Sequence, residues 1–123
     1  MTARILRALD NPHTTILGHP TGRLLLSRDG YEVDMERILE KAVEKGTVIE
    51  INANPHRLDL DWRWCKRAKE MGIKLIISPD AHSLSEISNT GFGVAMARKG
   101  WCEKSDILNC LSITDMKAFL KSE

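Results

Sequence analysis

An aspartate and a histidine lie two residues apart in the segment SPDAHS, which follows the apolar run 74–77. A carboxylate and an imidazole are ligands that suit Zn, Mn or Fe. Side chains at i and i+2 of an extended backbone project to the same side, so we expect Asp80 and His82 to point together. The pair is a candidate for metal binding, and the alternative is a solvated polar turn that ends a strand.

A second candidate group lies in the segment GHPTGR, residues 18–23. His19 ends an apolar stretch and is either a metal ligand or a histidine that caps a strand through backbone hydrogen bonds. Arg23 carries a planar guanidinium group that suits a phosphate oxygen, although an exposed loop arginine is the alternative.

A third polar segment, NANPHR, covers residues 52–57. Asn52 is a candidate for the site or part of a turn before a proline. His56 is expected to be a surface histidine. Arg57 is a candidate phosphate ligand, and pairing with Asp59 or Asp61 is the alternative.

Glu50 stands within the otherwise apolar strand VIEIN. Parallel strands are usually buried on both faces, so an acid there needs a reason. The two reasons considered are a buried lysine or arginine partner and a polar site that the side chain faces.

The pattern of helices and strands determines where these segments meet. The clearest helix begins at the N-cap Asp34 and ends at Gly46, with one apolar face formed by Ile38, Leu39, Ala42 and Val43. The predicted order is a helix at 3–10, a strand at 14–17, a helix at 34–46, a strand at 47–52, a helix at 59–72, a strand at 73–78, and helices at 92–101, 104–110 and 114–122, the last with Thr114 as its N-cap.

This alternation predicts an α/β fold with parallel strands and right-handed crossovers. In such folds ligands bind beyond the carboxyl ends of the strands. The three polar segments are therefore expected to form one site at that edge of the sheet.

Composition limits the function classes. A net charge of +1 gives no general attraction to nucleic acid or membrane, and no apolar run approaches the ~20 residues of a membrane span. Three scattered cysteines without a CxxC pair argue against a disulfide framework or zinc ribbon, and favour a cytoplasmic location. Cys65, Cys102 and Cys110 are expected to be buried or half-buried. No shift in composition marks a boundary, so residues 1–123 are taken as one domain.

The helix at 59–72 carries two tryptophans that cannot share one face, so we expect either Trp62 or Trp64 to be partly exposed. The basic stretches KRAKE and ARK are interpreted as solvated helix faces.

Five segments together, ILGHPTGRLL, EINANPHRLDL, ISPDAHS, GVAMARKGW and ILNCL, resemble the PHP (polymerase and histidinol phosphatase) domain at the C-terminus of bacterial and archaeal family-X DNA polymerases. The resemblance extends over nearly all 123 residues in the same order. It implies a distorted barrel of the TIM type. The expected fold is a partial (β/α) barrel with about three parallel strands, flanking helices and a helical C-terminal segment.

The resemblance also implies an activity, that of a metal-dependent phosphoesterase linked to 3′-5′ exonuclease and DNA 3′-end processing in repair. It makes His19, Asp80 and His82 metal ligands of different ions, and it places Arg23, Asn52 and Arg57 near the phosphate. The implied cofactors are divalent ions (Mn, Zn, Mg or Fe), and the implied substrate is a DNA 3′ end or another phosphate ester.

The family's opening H-x-H motif and several other ligands precede the matching region, so the chain is expected to be the C-terminal part of the domain. Three strands are fewer than half of an eight-stranded barrel and leave sheet edges unpaired. We therefore expect a fragment of a longer chain, a homodimer, or a separate N-terminal segment that completes the fold. The alternative functions are a non-catalytic association module without a metal cluster, and an amidohydrolase-like barrel.

Overall fold

The computed structural model describes residues 1–121 and contains a parallel three-stranded sheet in the order β1-β2-β3. The expected α/β class, with three parallel strands and a helical C-terminal segment, is confirmed. The strands are β1 (Ile16–Leu17), β2 (Val48–Asn52) and β3 (Leu75–Ser78). The α-helices are α1 (Thr2–Asp10), α2 (Met35–Lys45), α3 (Trp62–Glu70), α4 (Thr90–Lys99) and α5 (Ile113–Lys121), and short 3-10 helices cover Leu84–Asn89, Lys104–Asp106 and Leu108–Cys110.

Helix α2 has the ends that its sequence predicts. The Asp34 side chain accepts a hydrogen bond from the Arg37 N–H at 3.2 Å, and Gly46 ends the helix with a left-handed φ of 69°. Its apolar face is narrower than expected, because Val43 is 47% exposed. Val43 lies about 100° around the helix from the buried Ala42, which turns it to the margin of the packed face.

The C-terminal third differs from the expected helices. Segment 104–110 is two 3-10 turns separated by Ile107, whose extended backbone forms a bridge with β3. Helix α5 begins at Ile113, and the Ser112 hydroxyl accepts the Asp115 N–H at 3.1 Å, so Ser112 rather than Thr114 provides the cap. Residue 122, at the end of the helix predicted here, lies outside the described residues.

The outer edge of β3 is covered by this C-terminal segment. Leu75 forms a parallel bridge with Ile107. Further along the strand, the Ile77 N–H donates to Asn109 Oδ1 at 2.7 Å, and Asn109 Nδ2 donates to the Ile77 carbonyl at 2.9 Å. The amide side chain of Asn109 therefore replaces a neighbouring strand, which protects this edge against further pairing. At the opposite edge, Ile16 of β1 is 41% exposed.

The core lies around β2, whose apolar residues Val48, Ile49 and Ile51 are buried. Helix α4 contacts the carboxyl ends of two strands through Gly93, where an added Cβ would lie 2.5 Å from Ile77 Cγ2 and 2.9 Å from Ala53 Cβ. Among the described residues no helix is long and apolar enough to cross a membrane.

The three cysteines are free thiols with different exposures. Cys65 is buried and Cys102 is half-buried, as expected, but Cys110 is exposed. Burial raises the pKa of the Cys65 thiol, and the nearby Cys102 adds to this effect. Cys65 is therefore a thiol that packs in the core rather than a nucleophile.

Candidate functional site

The loop after β1 is fixed at its beginning by a carboxylate from the neighbouring strand. Glu50 Oε2 accepts a hydrogen bond from the His19 backbone N–H at 2.7 Å, and an added Cβ on Gly18 would lie 3.3 Å from the same oxygen. His19 has a positive φ of 22°, which is uncommon for a residue other than glycine. Of the two explanations for Glu50, the contact favours a side chain that faces the polar strand ends.

A buried aspartate fixes the next part of the same loop. Asp59 is 0% exposed, and its Oδ2 accepts hydrogen bonds from the Thr21 N–H (3.0 Å), the Thr21 hydroxyl (2.8 Å) and the Gly22 N–H (3.0 Å). Its Oδ1 is buried and has no hydrogen-bond partner within residues 1–121. A buried carboxylate needs such donors to offset its lost hydration, so Asp59 fixes the first polar segment against the residues that follow the second one.

Residue patterns did not predict this role for Asp59. A signal was available, because Asp59 lies between two leucines, Leu58 and Leu60. An acid between two leucines needs a reason for its burial, as Glu50 does within an apolar strand.

Arg23 joins the first two segments from the other side. Its Nε donates to the Arg57 carbonyl at 2.8 Å, its Nη2 donates to the Leu58 carbonyl, and its Nη1 lies 3.5 Å from Asp61 Oδ2. The backbone adds a hydrogen bond from the Leu25 N–H to the His56 carbonyl at 2.6 Å. The guanidinium group of Arg23 therefore faces protein acceptors, and a contact with phosphate would require it to leave them.

Arg57 links the second segment to the third. Its Nε lies 3.8 Å from Asp80 Oδ2, and its Nη1 donates to the Arg23 carbonyl at 3.3 Å. The side chains of Arg57 and Asp80 are 19% and 33% exposed. The partner of Arg57 is thus Asp80 rather than Asp59 or Asp61, and all three polar segments are connected.

Asn52 is buried beneath this surface at 1% exposure. Its Oδ1 accepts the Asn54 N–H at 3.1 Å, and its backbone pairs with that of Asp59. This is the turn geometry that the asparagines predict. His56 is exposed, as expected.

The segment after β3 is not extended, contrary to the expectation for Asp80 and His82. Asp80 has a left-handed φ of 52°, so the backbone does not hold the Asp80 and His82 side chains on one side as an extended strand would. The chain turns instead, and His82 Nδ1 lies 2.8 Å from the Asp80 carbonyl. In the tautomer whose Nδ1 donates to this carbonyl, Nε2 keeps the lone pair with which a neutral imidazole binds a metal.

These donors fit a metal ion by their chemistry but do not form a complete site within residues 1–121. Imidazole and carboxylate are suitable ligands for the implied ions. However, no group of three His, Cys, Asp or Glu side chains in the described part of the chain is arranged to hold an ion. His19 and His82 are exposed, and Asp80 lies beside Arg57.

Asp61 is an acid whose surroundings lower its pKa. Burial raises the pKa of its carboxyl, but the side chain and backbone N–H of Arg63 and the charge of Arg23 outweigh that effect, so the pKa lies below its usual value. Asp61 Oδ1 accepts the Arg63 N–H at 2.8 Å as the N-cap of α3. It therefore stays ionised and holds the start of α3 against Arg23.

Comparison with known proteins gives a DNA polymerase relative and several phosphatases. Over 118 residues the chain is 45% identical to the DNA polymerase/3′-5′ exonuclease PolX of Bacillus subtilis. This alignment covers 96% of the chain and 21% of the Bacillus protein. The chain is 27% identical over 128 residues to a probable phosphatase of Thermoanaerobacter sp., covering 99% of this chain and 49% of the relative. It is 33% identical over 94 residues to a probable phosphatase of Clostridium acetobutylicum, covering 72% and 36%. No family model matches the chain.

The chain thus spans about a fifth of the polymerase and at most about half of these phosphatases. Homology to both kinds of protein supports the relationship to the PHP domain that the five segments indicate.

Proposed function

We propose that the chain is the C-terminal part of a PHP phosphoesterase domain and contributes the last strands of its barrel to a metal-dependent site acting on phosphate esters. The observation that carries the proposal is the connection of three polar strand ends through Arg57, whose guanidinium lies between the first segment and Asp80. Strand ends of parallel sheets are where such folds bind ligands. The similarity to phosphatases and to a polymerase with exonuclease activity supports this chemistry.

In this proposal His19, Asp80 and His82 hold divalent ions together with ligands from a preceding segment. When bound, such ions supply positive charge to phosphate oxygens and lower the pKa of water. Arg57 orients Asp80. Its guanidinium contacts fewer protein acceptors than that of Arg23, so it is the better candidate to bind a phosphate. Asn52 supports the turn that precedes Arg57. Arg23 would become a further phosphate contact only after its guanidinium leaves the Arg57 and Leu58 carbonyls.

The two edges of the sheet differ in whether a further strand of the barrel could pair with them. Asn109 and Ile107 cover the outer edge of β3, whereas Ile16 of β1 is exposed. A preceding strand would therefore add beside β1, either from the same longer chain or from a separate one. The proposed substrate is a DNA 3′ end in the cytoplasm, after the activity in the name of the Bacillus relative.

The test is a chimera in which this chain replaces the matched segment of the Bacillus subtilis protein. Release of nucleotides from a 3′-labelled single strand is measured with Mn²⁺, and bound metal is measured by elemental analysis. We expect Asp80→Ala and His82→Ala to lower the rate ~100-fold or more and to reduce bound metal. Asp29→Ala, at an exposed aspartate outside the three segments, is the matched control.

Full activity and full metal content in Asp80→Ala and His82→Ala would overturn the assignment of these residues. An inactive, metal-free chimera that still folds would favour the association module instead. Hydrolysis of an amide or lactam, without any phosphate ester, would favour the amidohydrolase-like alternative.

A further inference from the structure

The surface where the end of α4 meets the start of α3 carries aromatic and basic side chains that the proposed phosphoesterase site does not use. We name it the tryptophan–lysine patch, and it consists of Trp62, Arg63, Lys66, Lys99 and Trp101. Three cations of the patch lie over its indole rings. Lys66 Nζ is 4.8 Å from the ring centroid of Trp101, Lys99 Nζ is 5.0 Å from that of Trp62, and Arg63 Cζ is 5.9 Å from that of Trp62. These distances are within the range of cation–π attraction.

Close contact between the two helices fixes the patch. Gly100 is buried, and an added Cβ there would lie 2.8 Å from the Trp62 carbonyl oxygen, 2.9 Å from Cys65 Cβ and 3.1 Å from the Lys66 backbone nitrogen. Lys99 and Trp101 flank this glycine, so the contact positions both against α3. Trp62 and Lys66 are four residues apart on α3 and therefore share one face of it.

Trp101 is not used for core packing. The residue is 71% exposed, and its φ of 64° is in the left-handed region, which is unusual for a bulky residue. Trp62 is half-buried. A large exposed ring on a fixed backbone is a surface to which a flat apolar group can bind.

The charge of the patch is positive and partly unpaired. Arg63 forms a salt bridge with Asp61 at 3.0 Å, and the other salt bridges of α3 involve Arg67 and Lys69. Within residues 1–121, Lys66 and Lys99 form no ion pair with a carboxylate, so their charges are available to an external anion.

We propose that the tryptophan–lysine patch binds single-stranded nucleic acid, with a base stacked on Trp101 and backbone phosphates at Lys66 and Lys99. Exposed aromatic rings alternating with cations are the usual means of holding a single strand without sequence preference. A duplex keeps its bases stacked on one another, so it offers phosphates to the lysines but no free base face to Trp101. The proposal goes beyond the phosphoesterase site and needs no metal, so it can fail or hold independently of hydrolysis.

The test uses the 123-residue chain in a buffer with EDTA, titrated with a short oligo(dT). Stacking on Trp101 is expected to quench intrinsic tryptophan fluorescence as the complex forms. Trp101→Asn removes the ring and tolerates the left-handed backbone, and we expect roughly 5- to 100-fold weaker binding. Trp101→Phe keeps a ring and is expected to retain most of the affinity. The plot of log K against log salt has a negative slope, and Lys66→Ala and Lys99→Ala should each make that slope shallower by about 0.7.

Lys117→Ala is the matched control, because it removes an exposed lysine from α5. Helix α5 lies away from the patch, because its Phe119 lines a cavity with Asp10 and Gly46 near the amino end of the sheet. The control should bind oligo(dT) like the parent chain.

Far-UV circular dichroism checks that each variant is folded. Absence of binding to oligo(dT) by the folded parent chain overturns the proposal. Unchanged binding by Trp101→Asn or Lys99→Ala also overturns it, as does equal or tighter binding of a duplex of the same length. Equal quenching by polyglutamate would assign the patch to an acidic protein partner instead.

Discussion

The polar loops after β1 and β2 are bound to each other through several buried and partly buried side-chain contacts, whereas the segment after β3 joins them through one partly exposed ion pair and one backbone hydrogen bond. Asp59 and Arg23 together make five hydrogen bonds between the first segment and residues 57–59, counting three at Asp59 Oδ2 and two from Arg23 to carbonyls. The third segment reaches them through the Arg57–Asp80 pair at 3.8 Å and a backbone hydrogen bond from the Ala53 N–H to the Ser78 carbonyl.

This difference separates residues that hold the loops in shape from residues that are available to a ligand. The buried polar groups of the first two segments hold loop shape and leave few acceptors for a ligand. The exposed imidazole of His82 and the half-exposed carboxylate of Asp80 contribute little to packing and keep lone pairs available. Residues available to a ligand are expected to cost little stability when removed, and residues that shape the loops are expected to cost much.

The largest expected effect follows from removing the buried carboxylate. Asp59→Ala leaves the Thr21 and Gly22 N–H groups without their acceptor in a buried position. We expect a loss of about 2–4 kcal/mol in the free energy of unfolding, measured by urea denaturation. Asp29→Ala, an exposed aspartate, is the control and should change it by less than ~0.5 kcal/mol. Equal losses in the two variants would show that Asp59 does not hold the loops together.

An intermediate effect concerns pH. Because the folded-state pKa of Asp61 lies below its ordinary value, its stabilising contribution is present above the unfolded pKa of about 4 and is lost as pH falls through the folded pKa. Asp61→Asn keeps an acceptor for the cap of α3 but removes the charge. We therefore expect its unfolding free energy to fall less steeply than that of the parent chain between about pH 5 and pH 3. Parallel curves for the two proteins would contradict this role of Asp61.

The smallest expected effect lies in the third segment. His82 is exposed, and its ring contacts the Asp80 carbonyl within the same turn. We expect His82→Ala to change the free energy of unfolding by no more than ~0.5 kcal/mol in urea denaturation. A loss above ~1.5 kcal/mol would remove the distinction between supporting and available residues.

Much of the fold could be predicted from residue patterns because local physics dictates it. The caps of α2, the apolar strands β2 and β3, and the alternation of strands and helices are properties of neighbouring residues. The structure of the C-terminal segment could not be predicted in this way, because Ile107 and Asn109 take their conformations from pairing with β3 rather than from local preference. Sequence patterns carry no direct signal for an amide side chain that substitutes for a strand.

The candidate site divides in the same way. The sequence alone determined that three polar segments, each with a histidine and the first two with an arginine, follow three parallel strands, because the apolar and polar residues are consecutive in the chain. Only the tertiary structure decided their partners. It directed Arg23 to backbone carbonyls, paired Arg57 with Asp80, and buried Asp59 against the Thr21–Gly22 loop, since these contacts join residues 23 to 38 positions apart. Which groups remain open to a ligand depends on such distant contacts, and the spacing of residues along the chain does not encode them.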